Sequence, residues 1–475
     1  MNLKKKLIPA LIAPLVLGLS FSGQALANDN DELEKLRSLV QELDQKVRIL
    51  DRKGEIIAEE AAAKKKETPI VKASQDGFGF ESADGKNKIK FRALAQIDYR
   101  SYLDSGNGTN TANIDGFDFR RIRPTIEGTL AGKYDFRFTP EFGEAKTSSS
   151  SSTSGIVDAY IDARFTPYFQ VRAGKFKPYV GLERLQSGSD IKFIERSFVS
   201  NNFLPNRDLG VAIHGDVLND KLTYALGFHN GVVDGADAPT SQDTNGDKEF
   251  AARVFTTPFK DSDNALAGLG FGISATHSAF QGSAATTLLP GYKNPGQTSS
   301  FFTYSTNTYA NGDRNRYSPQ AYYYYGPFGV IAEYARVEQD IQNTTNRANI
   351  SNDAWQIAGS WLLTGEDASF KGVKPKNAFD ADAGKWGAWE IVARYQEANI
   401  DDKVFANSGR YGSLATSAKS AKAWGLGVNW YLNQNLKLAT NYEQTSFDGG
   451  GGGTNAAPID RQDEKILFTR LQVSY

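Results

Sequence analysis

Hydrophobic and polar side chains alternate with a period of two from Lys88 to the C-terminus of the chain. In the first such segment, one face carries Ile89, Phe91, Ala93, Ala95, Ile97 and Tyr99, and the other carries Lys88, Lys90, Arg92, Gln96, Asp98 and Arg100. This alternation predicts β-strands with one apolar and one polar face, because successive side chains of a strand point to opposite sides. Charged residues recur on the polar face of segment after segment, which favours a water-filled interior over the core of a soluble sandwich.

Sixteen segments alternate in this way, and an even number of strands is what a closed bacterial membrane barrel requires. They begin near residues 88, 117, 134, 155, 168, 209, 221, 248, 266, 314, 328, 352, 386, 421, 435 and 463. Residues 298–309 fit either a further strand or part of a long loop. The expected fold class is all-β, a transmembrane antiparallel β-barrel of about sixteen strands with an aqueous bore and a short N-terminal coiled-coil helix.

The connections between the segments are either tight or long. Tight turns such as residues 131–133, 166–167 and 433–434 are expected on one rim, and long polar loops on the other. The long connections are residues 104–116, 143–155, 231–247, 282–313, 340–351, 365–385, 401–420 and 448–462. Aromatic residues, including all six tryptophans, cluster near the ends of the segments, which predicts the girdles that mark membrane interfaces.

The first 85 residues follow other patterns. Residues 1–27 combine three lysines, an apolar stretch and the small-x-small sequence Ala25-Leu26-Ala27, which predicts a cleaved signal peptide. Residues 28–66 carry apolar side chains spaced three and four apart, namely Leu33, Leu36, Val40, Leu43, Val47 and Leu50. This spacing predicts a helix that either joins subunits as a periplasmic coiled coil or lies singly as an amphipathic helix. We assign residues 67–85 to a linker and residues 86–475 to the barrel.

Composition narrows the classes of function. The chain contains no cysteine, so thiol chemistry is excluded. Residues 86–475 hold 41 basic and 41 acidic side chains, so any ion selectivity must come from where the charges lie. Of the three histidines, His229 has no serine or aspartate at a spacing that suggests catalysis, and an enzyme is the less favoured class. We expect no cofactor, no metal site and no nucleic-acid partner, whereas a side role of the outer loops as adhesin or phage receptor stays open.

The first group of basic residues lies on the second alternating segment. Arg121 and Arg123 share the polar face, whereas Arg120 falls on the opposite parity, so a bulge or a strand end is needed to accommodate it. Arginines on the wall of a water-filled barrel offer forked hydrogen-bond donors to oxyanions. The alternative is that they pair with carboxylates in the lumen and only balance the charge of the wall.

The second group lies in residues 175–208, the longest stretch of the barrel region without alternation. It follows the fifth alternating segment, and it contains Lys175, Lys177, Arg184, Lys192, Arg196 and Arg207. An inward fold of this stretch would narrow the bore, and a ring of Arg and Lys at a constriction favours anions and phosphate.

These two groups carry a resemblance to a known family. The texts "FDFRRIRPTIEGTLAGKYDFRFTPEFG", "DAYIDARFTPYFQVRAGKFKPYVGLERLQSGSDIKFIERS" and "PNRDLGVAIHG", with the C-terminal strand, resemble the phosphate-selective porins of types O and P over about residues 86–475. The resemblance implies an outer-membrane homotrimer of sixteen-stranded barrels that passes phosphate-like anions. It also implies that Arg120 and Arg121 belong to an arginine ladder, that Arg196 is the constriction arginine, and that Asp158 faces it. Arg123, Lys175, Lys177, Arg184, Lys192 and Arg207 complete the expected anion path.

The expected function is passive diffusion of small anions, with membrane lipid and further copies of the chain as partners. The neutral charge balance of the barrel departs from what a strongly phosphate-selective pore would carry. A general or differently specific porin of the same fold is therefore the alternative.

Overall fold

The computed structural model describes residues 29–74, 77–105, 113–143, 155–239, 243 and 246–475. The signal peptide expected at residues 1–27 lies outside these ranges. No helix in the described ranges is long and apolar enough to cross a membrane. The chain consists of two compact units, residues 1–68 and residues 69–475.

Within its described residues, the second unit contains twenty-one strands. They are β1 (Ile70–Ser74), β2 (Gly77–Glu81), β3 (Lys88–Ser105), β4 (Gly116–Leu130), β5 (Tyr134–Pro140), β6 (Ile156–Thr166), β7 (Phe169–Phe176), β8 (Asp208–Val217), β9 (Leu222–His229), β10 (Glu249–Thr256), β11 (Leu269–Gln281), β12 (Tyr292–Lys293), β13 (Ser300–Phe302), β14 (Thr308–Tyr325), β15 (Phe328–Asn343), β16 (Asn346–Leu362), β17 (Ala388–Asn399), β18 (Ala418–Tyr431), β19 (Leu436–Gly453), β20 (Pro458–Asp460) and β21 (Glu464–Ser474). Short helical turns cover Val199–Phe203, Ala265–Gly268, Asp402–Val404 and Ala406–Gly409.

Sixteen of these strands form a closed antiparallel barrel. Each pairs with the next along the chain, and β21 pairs with β3, from Glu464 opposite Ser105 to Ser474 opposite Leu94. The strands left outside the ring are β1, β2, β12, β13 and β20. The predicted fold class is confirmed, and every predicted segment begins within six residues of a barrel strand. The ambiguous residues 298–309 divide between β13, a loop and the start of β14.

The two faces of the wall follow the alternation of the sequence. On β3, Gln96 and Asp98 are fully buried, whereas Ile97 and Tyr99 are exposed. On β5, Thr139 is buried and Phe138 is exposed. Polar side chains thus fill the lumen and apolar ones face outward, the reverse of a soluble protein.

Two connections that we expected to be long loops of one rim differ in the structure: one is a tight hairpin, and the other is long but lies on the opposite rim. Residues 340–351 form a tight hairpin in which Asn343 pairs with Asn346. Residues 363–387 are long but lie on the rim of the tight turns, where the amide of Ala368 donates to the carbonyl of Gly326 at 2.7 Å. Our placement used length alone, whereas in a closed barrel every second connection returns to the same rim. We name residues 363–387 the short-rim loop.

The N-terminal part contains a helix and a hairpin. Helix α1 spans Asp29–Glu67, and its seam of Leu and Val residues is exposed. Residues 67–85, which we assigned to a linker, instead include the antiparallel pair β1 and β2. Strand β2 pairs with the start of β3, from Phe78 opposite Phe91 to Glu81 opposite Lys88. The hairpin therefore continues the sheet beyond the end of β21.

A long loop between β7 and β8 packs against the barrel through apolar side chains. We name residues 177–207, between β7 and β8, the inward loop. Its buried Val180, Phe198 and Phe203 pack with Tyr292 and Phe302 of an outer loop and with alanines of β15 to β18. This packing fixes the inward loop against one side of the barrel, and its charged side chains reach β4, β6 and β17.

Candidate functional site

A bulge in β4 directs both neighbouring arginines into the lumen. Arg121 lies opposite Gln96, but Phe119 lies opposite Ile97, so Arg120 is an extra residue in this strand. The parity of the sequence predicted such a bulge. Arg121 is buried and donates from Nη1 to Oε1 of Gln96 at 2.5 Å. Arg120 reaches Glu195 of the inward loop.

Five cations lie together where the inward loop passes β4. We name Arg123, Lys177, Arg184, Arg196 and Arg207 the basic cluster. Arg196 donates to the carbonyls of Glu183 at 3.2 Å and Gln186 at 2.8 Å. Lys177 donates from Nζ to the carbonyl of Gln186 at 2.7 Å. These acceptors are neutral, so they hold the cations in place without cancelling their charge.

The positive groups of the cluster repel one another. Burial and the neighbouring Arg184 lower the pKa of Arg196, against the opposing effect of Glu183. Burial and then Arg196 and Arg207 lower the pKa of Lys177 well below its usual value. Arginine stays charged in proteins, so the lowered pKa of Arg196 reflects burial first and the neighbouring positive charge of Arg184 second. An anion entering this region would relieve the repulsion.

Two carboxylates balance part of the cluster. Oδ1 of Asp158 accepts from Nε of Arg207 at 2.9 Å, and Oε2 of Glu141 accepts from Nε of Arg123 at 2.5 Å. We expected Asp158 to face Arg196, but the structure places it against Arg207. Arg207 comes directly before β8, which brings it beside β6 in the folded barrel. The cluster keeps more positive than bound negative charge.

A second group of charges consists of three arginines that share two carboxylates. Arg120 donates two hydrogen bonds to Glu195, at 2.6 and 3.1 Å. Nη2 of Arg100 lies 3.5 Å from the same carboxylate, and Arg470 binds Asp98 through two bonds of 2.6 Å. Burial raises the pKa of Glu195, but Arg120 outweighs it and holds that pKa far below its usual value. We name Arg100, Arg120, Arg470, Asp98 and Glu195 the paired cluster.

Sequence reasoning had not singled out Arg100 and Arg470 as site residues. Both lie on the polar face of their strands, which was the available signal. Arg120 pairs with a carboxylate in the lumen, which was the alternative to an anion path, and this carboxylate is Glu195 of the inward loop.

Besides Arg120 and Arg121, two further predicted cations lie apart from the basic cluster. Nζ of Lys192 binds Glu390 of β17 at 2.6 Å. Nζ of Lys175 donates to the carbonyl of Ala238, in an outer loop, at 2.5 Å. The structure thus brings together Asp158 and five of the nine predicted cations.

A sixteen-stranded antiparallel barrel with an inward loop and a charged lumen defines the class of outer-membrane porins. The family described as phosphate-selective porin O and P matches residues 88–475, and the chain belongs to this family. It is 24% identical over 402 residues to Porin O of Pseudomonas aeruginosa, covering 80% of this chain and 87% of that protein.

Solved structures share the fold. A loop-deletion mutant of OmpT from Vibrio cholerae matches with a TM-score of 0.50 and 11% identity, over 82% of this chain and 100% of that chain. The channel DcaP of Acinetobacter baumannii matches with a TM-score of 0.50 and 12% identity, over 84% and 99%. OprB of Pseudomonas putida matches with a TM-score of 0.50 and 11% identity, over 82% and 95%.

Proposed function

We propose that this porin prefers anions and passes phosphate or related oxyanions by diffusion through the basic cluster. The observation that carries the proposal is the way Arg196 is held, by carbonyl oxygens that leave its charge available. Guanidinium groups present paired donors that match the oxygens of a tetrahedral anion. The description of the family and the name of its Pseudomonas relative agree with this class of solute.

A general porin of the same fold is the second candidate, because much of the remaining lumen charge is paired. Arg394 binds Glu443 at 2.8 Å, and Arg316 binds Asp234 at 2.7 Å. Together with the paired cluster, such ion pairs give a wall with little net potential. A channel whose path followed these pairs would discriminate weakly between anions and cations.

We also propose that the chain is a channel only. His229 is almost fully buried against the ring of Phe176, with centroids 5.3 Å apart. Among the described residues, neither of its ring nitrogens has a hydrogen-bond partner. A general base needs an oriented partner and access to substrate, and this imidazole has neither.

For the assembly, we propose a homotrimer whose α1 helices join in the periplasm as a coiled coil. The exposed apolar seam of α1 supports this, because Leu36 and Leu50 are two-thirds exposed in a single copy. The apolar outer wall of the barrel would contact membrane lipid. Cross-linking of full-length protein, compared with a variant in which Leu36 and Leu43 are replaced by Ser, tests the role of the seam.

The proposed function is tested with purified protein in planar bilayers. We expect zero-current potentials in a KCl gradient to favour chloride, and added phosphate to block the chloride current. Arg196→Ala should lower both effects several-fold, whereas Arg347→Ala, which removes an exposed arginine at the β15–β16 hairpin, should leave both unchanged. Equal permeability without phosphate block would favour the general porin, and a cation preference would refute the proposal.

A further inference from the structure

An outer loop forms the outer side of the basic cluster. The amide of Asn206 donates to the carbonyl of Ala236 at 3.0 Å, and the amide of Ala238 donates to the carbonyl of Arg207 at 2.7 Å. The carbonyl of Ala238 also accepts the hydrogen bond of Lys175. Residues 230–239, which we name the lip loop, therefore lie directly on the inward loop.

Two buried arginines fix the lip loop from the opposite side. Arg314 and Arg316 of β14 are fully buried, and both donate to the carbonyl of Val232, at 2.6 and 2.8 Å. Arg316 also binds Asp234 through Nε at 2.7 Å. Breaking buried charge-assisted bonds is costly, so the lip loop is a rigid part of the lumen.

Asp237 lies between Ala236 and Ala238, the two lip-loop residues whose backbones are hydrogen-bonded to the inward loop. Its backbone bridges to that of Arg207, and its side chain is exposed. The carboxylate lies within electrostatic range of Lys175, Arg184 and Arg207. Unlike Asp158 and Glu141, it makes no hydrogen bond or ion pair with any other described residue.

We propose that Asp237 determines which anions the porin accepts, by opposing entry into the basic cluster in proportion to anion charge. The inference rests on the proposed function, because it concerns the same path. Its chemistry is direct: a fixed negative charge beside a positive site raises the free energy of a dianion twice as much as that of a monoanion. Asp237 would thus reduce the advantage that the positive site gives to doubly charged oxyanions over singly charged ones of the same shape, such as the monoanion of phosphate.

The magnitude follows from Coulomb's law. For a charge at about 10 Å and an effective dielectric constant of about 40 to 80, removing it strengthens binding of a monoanion roughly two- to fourfold. The same change strengthens binding of a dianion roughly four- to sixteenfold. Low ionic strength is needed, because salt screens an exposed charge at this distance.

The experiment compares block of chloride current by methyl sulfate and by sulfate, two tetrahedral anions that differ in charge. We expect Asp237→Asn to strengthen block by sulfate by about the square of its effect on methyl sulfate, and Asp237→Glu to behave as the wild type. The matched control is Asp402→Asn, which removes an exposed carboxylate from the loop between β17 and β18. It should change neither anion.

Equal gains for the two anions, or an equal effect of the control variant, would overturn the proposal. The same holds if Asp237→Asn leaves both anions unchanged. Failure of the proposed function is distinguishable, since it appears as cation preference in the wild type. Even then, the ratio of variant to wild type reports whether Asp237 acts through its charge.

Discussion

Replacing Glu195 with Gln isolates what one buried carboxylate does for three arginines. Glu195 is 1% exposed, and it binds Arg120 through two hydrogen bonds while Arg100 and Arg470 lie 3.5 and 3.8 Å away. Removing one partner of a buried ion pair costs about 3–5 kcal/mol, because the remaining charge stays buried and uncompensated. Glutamine keeps one acceptor for Arg120, so we expect a loss of about 3 kcal/mol in the free energy of unfolding.

The same variant should become dependent on phosphate for its stability. With Glu195 neutralised, a bound anion replaces the missing charge, and phosphate at about 100 times its dissociation constant would restore about 2.7 kcal/mol. The assay is urea unfolding from lipid vesicles at pH 7, with phosphate or chloride at equal ionic strength. Because the folded pKa of Glu195 is lowered, its contribution is complete above the unfolded pKa of about 4.3 and is lost only as pH falls towards the folded value.

The control is Glu338→Gln, which breaks an exposed pair with Arg336 on the outer face of β15. Exposed pairs contribute about 0–1 kcal/mol, so this variant should unfold like the wild type with either salt. If Glu195→Gln were as stable as the wild type, the paired cluster would not be the buried network that we describe. Equal stabilisation of both variants by phosphate would show a non-specific salt effect.

Two further predictions concern the inward loop and pH. Phe203 is fully buried, and the centroid of its ring lies 4.5 Å from that of Tyr292, on which it stacks. Phe203→Ala should therefore lower the free energy of unfolding by about 3–5 kcal/mol and give larger, noisier single-channel currents. Phe203→Leu should change both quantities less. Wild-type currents in Phe203→Ala would mean that the apolar packing around Phe203 does not position the inward loop. Burial, followed by the charge of Arg120, lowers the pKa of Lys293 to about 8. As pH rises through 8 this ammonium loses its charge, so zero-current potentials should show anion preference falling between about pH 7 and 9, and Lys293→Arg should flatten that change. An equally steep fall in the variant would assign the titration to another group.

The barrel was predictable because lipid outside and water inside impose a period of two on every strand. The same parity exposed the bulge at Arg120, since one residue out of phase has to be absorbed somewhere. The turns of the short rim were readable for a similar reason, because they interrupt the alternation over only a few residues. Parity along the chain, and not length, also decides on which rim a connection lies, and this is why residues 363–387 were misplaced.

The partners of the site residues were not predictable in the same way. Arg120 and Glu195 are 75 positions apart in the chain, and no local pattern links them. Asp158 of β6 binds Arg207 because the inward loop returns to the start of β8, on the other side of β7 from β6, a closure that depends on tertiary packing. The lip loop carries no periodicity, so neither its contact with the inward loop nor the position of Asp237 could be read from the sequence.

The short-rim loop has a consequence for how the bore is supported. The carbonyl of its Phe370 accepts a hydrogen bond from Gln186 at 2.8 Å, and the ring of Phe370 stacks on Tyr322 at 5.4 Å. Gln186 is also the residue whose own carbonyl accepts from Lys177 and Arg196. The short-rim loop thus supports Gln186, the residue that holds Lys177 and Arg196 of the basic cluster in place. Substitutions in the short-rim loop should therefore alter the conductance even when every charged residue of the basic cluster is unchanged.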